Sequence, residues 1–137
     1  MNAIQTVTIN NADIAVKEYN GVRVVTFKDI DACHERPDGT AKRNFNQHKE
    51  FFTEGEEFFT IPYSEFSTKF VPNSVKGGNP NNTVVLLTER GYYTLIKSFN
   101  DRLSWVVQKM LIDNYFRTQT AQTIDSEEEY NRKIKLA

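Results

Sequence analysis

Between Thr26 and Phe52 the chain reads TFKDIDACHERPDGTAKRNFNQHKEFF, a stretch that admits few arrangements. Pro37-Asp38-Gly39 is turn chemistry and splits the stretch into two short helices around a tight bend. Thr26 is placed to cap the first helix, with Asp29 three residues on in the position of a capping-box acid. That helix is expected over 27–34, with Phe27, Ile30 and Cys33 or His34 on its buried stripe. Thr40 is expected to cap the second, which runs from Ala41 to about Phe51. Ala41, Phe45, His48 and Phe52 have the spacing of its inward face. Lys42, Arg43, Asn46 and Lys49 fall outward, with Asn44 and Gln47 on the flanks. Two helices so joined are a common device for presenting side chains to a DNA groove. Arg and Lys suit phosphate or guanine, and Asn and Gln suit adenine edges. The plainer reading of the same face is a solvated helix surface.

The flanking sequence reads as the support for this pair. Val7 and Ile9 alternate with polar residues as a short strand, and Asn10-Asn11 marks a turn. Asn20-Gly21 lies between two β-rich runs, the strongest short signal for a hairpin with a type I′ turn. A two-residue turn sets Tyr19 opposite Val22, Glu18 opposite Arg23, Val16 opposite Val25 and Ile14 opposite Phe27. Ile14, Val16, Val25 and Phe27 then share the face that covers the core. Phe58 and Ile61 mark a strand after Gly55, and Pro62 opens a short helical turn. Residues 71–82, VPNSVKGGNPNN, are turn chemistry throughout, and Lys69 and Lys76 would let this loop touch a phosphate backbone. Thr83–Leu87 is an apolar strand. Thr88 caps a helix with Tyr92, Leu95, Ile96 and Phe99 inward, and Asn100-Asp101 breaks and recaps the chain. The last helix, about 102–117, carries Leu103, Val106, Val107, Met110, Leu111 and Tyr115 at amphipathic spacing. A leftover apolar edge with Trp105 or Phe116 is where a homodimer contact would form, although core packing accounts for most of it.

The expected fold is therefore α+β: a small antiparallel sheet with an N-terminal hairpin, a helix-turn-helix-like pair, and two C-terminal core helices. Its length of 137 residues suits one domain, expected over residues 6–118. Residues 119–137 read as a polar linker or tail leading to a further C-terminal region. A single cysteine, no apolar run of membrane-spanning length and no secretory signal fit a reducing cytoplasm.

Catalytic chemistry does not assemble. Cys33 and His34 are adjacent and so point about 100° apart on a helix, which is not a nucleophile–base geometry. One Cys and two His satisfy no zinc spacing, and Gly77-Gly78 opens no phosphate loop. Glu54, Glu56 and Glu57 around a Gly turn are expected to be solvated. Neither an enzyme, a cofactor nor a metal is expected. The net charge of −1 means that positive charge for nucleic acid has to be local. That places the candidate contacts at Lys42, Arg43, Asn46, Gln47 and Lys49, with Thr40 and Lys76 beside them.

Two longer segments carry a resemblance: RPDGTAKRNFNQHKEFFTEGEEFF, and then TVVLLTERGYYTLIKSFNDRLSWVVQKMLIDNYF. Together with the hairpin and TFKDID before them, they closely resemble the KilA-N superfamily. The nearest branch is the N-terminal domain of phage antirepressor-like proteins named after a sixth open reading frame. The resemblance covers about Val7 to Arg117. It implies a compact α+β DNA-binding domain of bacteriophage or prophage origin, working in the bacterial host cytoplasm and commonly fused to a variable C-terminal domain. Members are thought to act as transcription regulators or antirepressors, so double-stranded DNA is the expected partner. The alternative is a module that sequesters a phage repressor without touching DNA. The family's basic helix maps onto Lys42, Arg43, Asn46 and Lys49. This chain departs from the pattern at His48, where Asn is usual, and at Phe51, where a basic residue is frequent.

Overall fold

The computed structural model describes residues 5–70 and 82–117. Among these residues six strands and five α-helices form an α+β fold in the order β1 (Thr6–Ile9), β2 (Ala12–Ala15), β3 (Lys17–Tyr19), β4 (Val22–Val24), α1 (Phe27–Cys33), α2 (Thr40–Gln47), β5 (Phe58–Pro62), α3 (Tyr63–Phe70), β6 (Thr83–Leu87), α4 (Glu89–Leu95) and α5 (Arg102–Leu111). The strands make three antiparallel pairs, β1–β2, β3–β4 and β5–β6. The loop expectation over 71–81, with Lys76, and the tail over 119–137 lie outside the described residues.

Local chemistry sets both early hairpins. Asn20 and Gly21 have φ of 55° and 83°, the left-handed pair a type I′ turn requires, and Glu18–Arg23 and Tyr19–Val22 pair as the turn dictates. The outer pairs differ from the expected register. Asn10 and Asn11 also have positive φ and close a hairpin of their own, so Ile14 pairs with Val7. Val25 leaves the hairpin to bridge Leu87, which ties the N-terminal strands to β5–β6. Ile14 and Val25 still reach the main core, with Val16 and Phe27 packed against it. Burial was the stronger constraint, and strand pairing adapted to it.

The main core gathers Ile9, Ile30, Phe45, Tyr92, Val107 and Tyr115 from most of these elements. Tyr92, Leu95, Ile96 and Phe99 are buried as expected, and Thr88 caps α4 by accepting from the Gly91 amide. The last helix differs in part. It continues past Leu111 as a π-helical turn over Ile112–Phe116, which widens the helix and brings Tyr115 inward. The Tyr115 hydroxyl donates to the Val24 carbonyl at 2.6 Å and accepts from the Lys17 amide at 3.0 Å. Val106, expected inward, is 50% exposed next to Trp105 at 68%. Glu57 is buried rather than solvated, held by the Thr53 amide and by Arg90 at 2.8 Å.

Candidate nucleic-acid interface

Helix α2 is presented by its neighbours on three sides. Its N-terminus is held by Asp31, a buried residue of α1. One Asp31 carboxylate oxygen accepts from the Gly39 amide and the other from the Ala41 amide, each at 2.9 Å. Burial pushes the Asp31 carboxyl above the usual carboxylate range, opposed by these backbone donors. Gly39, with φ of 98°, takes the position before the helix. Thr40 therefore does not cap: its hydroxyl donates to the Pro37 carbonyl at 2.7 Å, inside the turn. An acid from the preceding helix out-competes the local hydroxyl because it reaches two orphan amides at once. Replacing Asp31 with alanine leaves both amides without that acceptor. The expected loss is about 2 kcal/mol by urea unfolding, and a loss under about 0.5 kcal/mol would show that solvent replaces the cap.

The underside of α2 is fixed by Phe45. Its ring meets Phe27 at 5.3 Å, Phe52 at 4.7 Å and Phe58 at 5.1 Å between centroids, joining α1, the segment after α2 and β5. Ala41 is fully buried beside it. At the far end Asn44 donates to the Ser98 hydroxyl at 2.8 Å, which seats α2 against the 3₁₀ turn that follows α4, Ile96–Ser98.

The helix ends at Gln47, earlier than its periodicity suggested, and Lys49–Phe51 form a 3₁₀ turn. This alters the expected face. A 3₁₀ turn advances by about three residues rather than 3.6, so the spacing cannot be carried past Gln47. His48, expected inward, is exposed, and its Nδ1 lies 3.0 Å from the Asn44 carbonyl. Phe51 is 60% exposed, while Phe52 returns to the core in extended conformation.

Lys42, Arg43, Asn46, Gln47 and Lys49 are all exposed. Among the described residues, Lys42, Arg43, Asn46 and Gln47 make no side-chain hydrogen bond or ion pair. Lys49 lies over the Phe45 ring, 5.7 Å from its centroid. Elsewhere Lys17, Arg36, Arg90 and Arg117 are engaged by carboxylates, and Arg23 and Lys69 lie 4.0 Å from Glu18 and Glu65. From Gly39 to Phe52 there are three Lys or Arg and a single acid, Glu50. This segment is therefore locally positive within a chain of net charge −1. Two contributors could not be found from the sequence pattern: Asp31, which orients the helix, and Lys97, which lies beside the Ser98 that Asn44 holds.

Burial pushes the Cys33 thiol up to about 12, which leaves it un-ionised at neutral pH. Among the described residues no group of His, Cys, Asp and Glu is placed to hold a metal, and no helix is long and apolar enough to cross a membrane.

A family model described as the ORF6N domain matches residues 14–98, which spans both hairpin arms of β3–β4, α1, α2 and α4. No curated protein and no solved structure matches.

Proposed function

The chain belongs to the ORF6N domain family, a phage-type regulatory domain, and from that premise we propose that it binds double-stranded DNA through residues 40–51. Lys42, Arg43 and Lys49 contact phosphates, and Asn46 and Gln47 read base edges. Thr40 flanks them at the turn, and Lys76 is proposed as an added phosphate contact. The reading places the protein among phage or prophage transcription regulators or antirepressors. The observation that supports it best is a helix with four polar or cationic side chains exposed and uncommitted, on a backbone fixed by Asp31 and Phe45.

The test is the salt dependence of binding to a mixed-sequence duplex. Alanine at Lys42, Arg43 or Lys49 lowers the slope of log K against log salt by about 0.9 per phosphate contact, and weakens binding roughly tenfold near 0.1 M salt. Asn46→Ala instead lowers discrimination between sequences and leaves the slope unchanged. Unchanged slopes in all three cationic variants, each still folded, sink the assignment.

A second reading has one observation in its favour. Trp105 and Val106 stand exposed side by side on α5, which suits a module that sequesters a phage repressor, or a homodimer, without DNA. Trp105→Ala would then abolish the change in sedimentation on mixing with repressor, or the self-association, and leave any DNA affinity intact.

A further inference from the structure

Behind the 3₁₀ turn that follows α2 lies a groove of about 400 Å³, between that turn and the C-terminal end of α4. His48, Phe51, Thr94, Leu95, Lys97 and Ser98 line it. Three of its properties are chemically specific. Phe51 offers an aromatic face that is 60% exposed, and Leu95 supplies a buried apolar wall. Lys97 is exposed and, among the described residues, has no carboxylate partner. Among the described residues no carboxylate lines the groove; Glu50 precedes Phe51 in the chain but does not line it. The Asn44–Ser98 hydrogen bond ties α2 to the wall of the groove that carries Lys97.

We infer that this groove seats an unstacked nucleobase, stacked on Phe51, with the adjoining phosphate on Lys97. The inference rests on the DNA-binding reading and extends it from the helix to a second contact of the single-strand kind. An aromatic face accepts any base, because every base has a π face, and a nearby ammonium holds the backbone. An apolar side chain of a protein partner would use the aromatic face but not the Lys97 ammonium beside it. A nucleic acid uses both.

The experiment compares the parent chain with Phe51→Ala, Phe51→Trp and Lys97→Ala. The probes are a short mixed-sequence DNA strand carrying a fluorescent adenine analogue, and its duplex. Phe51→Ala is expected to weaken single-strand binding about tenfold and to remove the stacking quench, with the salt slope unchanged. Phe51→Trp retains both. Lys97→Ala lowers the single-strand slope by about 0.7. Single-strand binding and quenching that survive in Phe51→Ala overturn the inference, and leave the duplex reading standing if the Lys42 and Arg43 variants still weaken the duplex. Absence of binding by the parent to either probe overturns both. Phe51 is exposed, so its substitution does not threaten the fold.

Discussion

Replacing Gly91 with alanine lowers the unfolding free energy by more than about 3 kcal/mol. The usual expectation has the opposite sign, since alanine in a helix is favoured over glycine by about 1 kcal/mol. Gly91 lies in the first turn of α4, where that gain would apply. A Cβ there would stand 1.9 Å from the Glu57 carbonyl oxygen and 3.0 Å from a Leu87 methyl. The obstructing atom is backbone and cannot swing aside. The same carbonyl accepts from the Thr88 amide at 3.0 Å, so moving it costs the start of α4 as well. Overpacking therefore outweighs helix propensity. Urea unfolding and a melting temperature lower by 10 °C or more (about 4–8 °C per kcal/mol for a domain this size) are the readouts. A variant as stable as the parent would mean that α4 does not sit this close to the segment before β5. Because α4 leads directly to the turn that holds Asn44, DNA binding should fall in the same variant.

Acidification from pH 7 toward pH 4 costs about 3 kcal/mol of stability through His34 alone. The imidazole is buried between α1, α4 and α5. Its Nε2 lies 2.6 Å from the Tyr92 hydroxyl and its Nδ1 3.3 Å from the Ser104 hydroxyl. Ser104 donates to Asp101 at 2.7 Å, and Arg36 pairs with the same carboxylate. One tautomer satisfies the chain: Ser104 accepts from Nδ1–H, and Nε2 accepts from the Tyr92 O–H. Protonating Nε2 removes that acceptor inside the core. Burial, helped by the Arg36 charge and opposed by Asp101, lowers the His34 pKa to about 4 from its ordinary 6.5. A histidine with a depressed folded pKa contributes stability that is complete above the unfolded pKa and is lost as pH falls toward the folded one. The loss therefore begins near pH 6.5, and about 2 kcal/mol of it is gone by pH 5, before most carboxylates titrate. Urea titrations at several pH values would show this slope, and His34→Gln, lacking the ionisation, should be flatter over the same window. Equal slopes for the two proteins would place the proton elsewhere. The network joins the helix before α2 to the two C-terminal helices, so the pH effect acts on the scaffold and not on the exposed cations.

Signals written in neighbouring residues were legible in the sequence. Asn20-Gly21, the Thr26–Asp29 capping box and the Thr88 cap each complete their hydrogen bonds within four residues, so no distant partner can revise them. The α+β class, the two-helix stretch and the exposure of Lys42, Arg43, Asn46 and Lys49 were read from spacing and composition alone. Other features depended on competition between parts of the chain far apart in sequence. Asp31 took the capping place expected of Thr40 because folding brought a charged acceptor to two amides that a hydroxyl could serve only singly. Val25 left its hairpin partner because Leu87 offered backbone bonds in both directions at a buried edge. His48 turned outward when α2 tightened into a 3₁₀ turn, whose smaller repeat changes which residues share a face. The groove beside Phe51 has no sequence signature at all, since its walls are more than 40 residues apart and are brought together by the shared core and the Asn44–Ser98 bond. Sequence determined which residues α2 carries on its outward face; tertiary contacts decided how rigidly they are held, because only packing and long-range hydrogen bonds can fix a short helix against solvent.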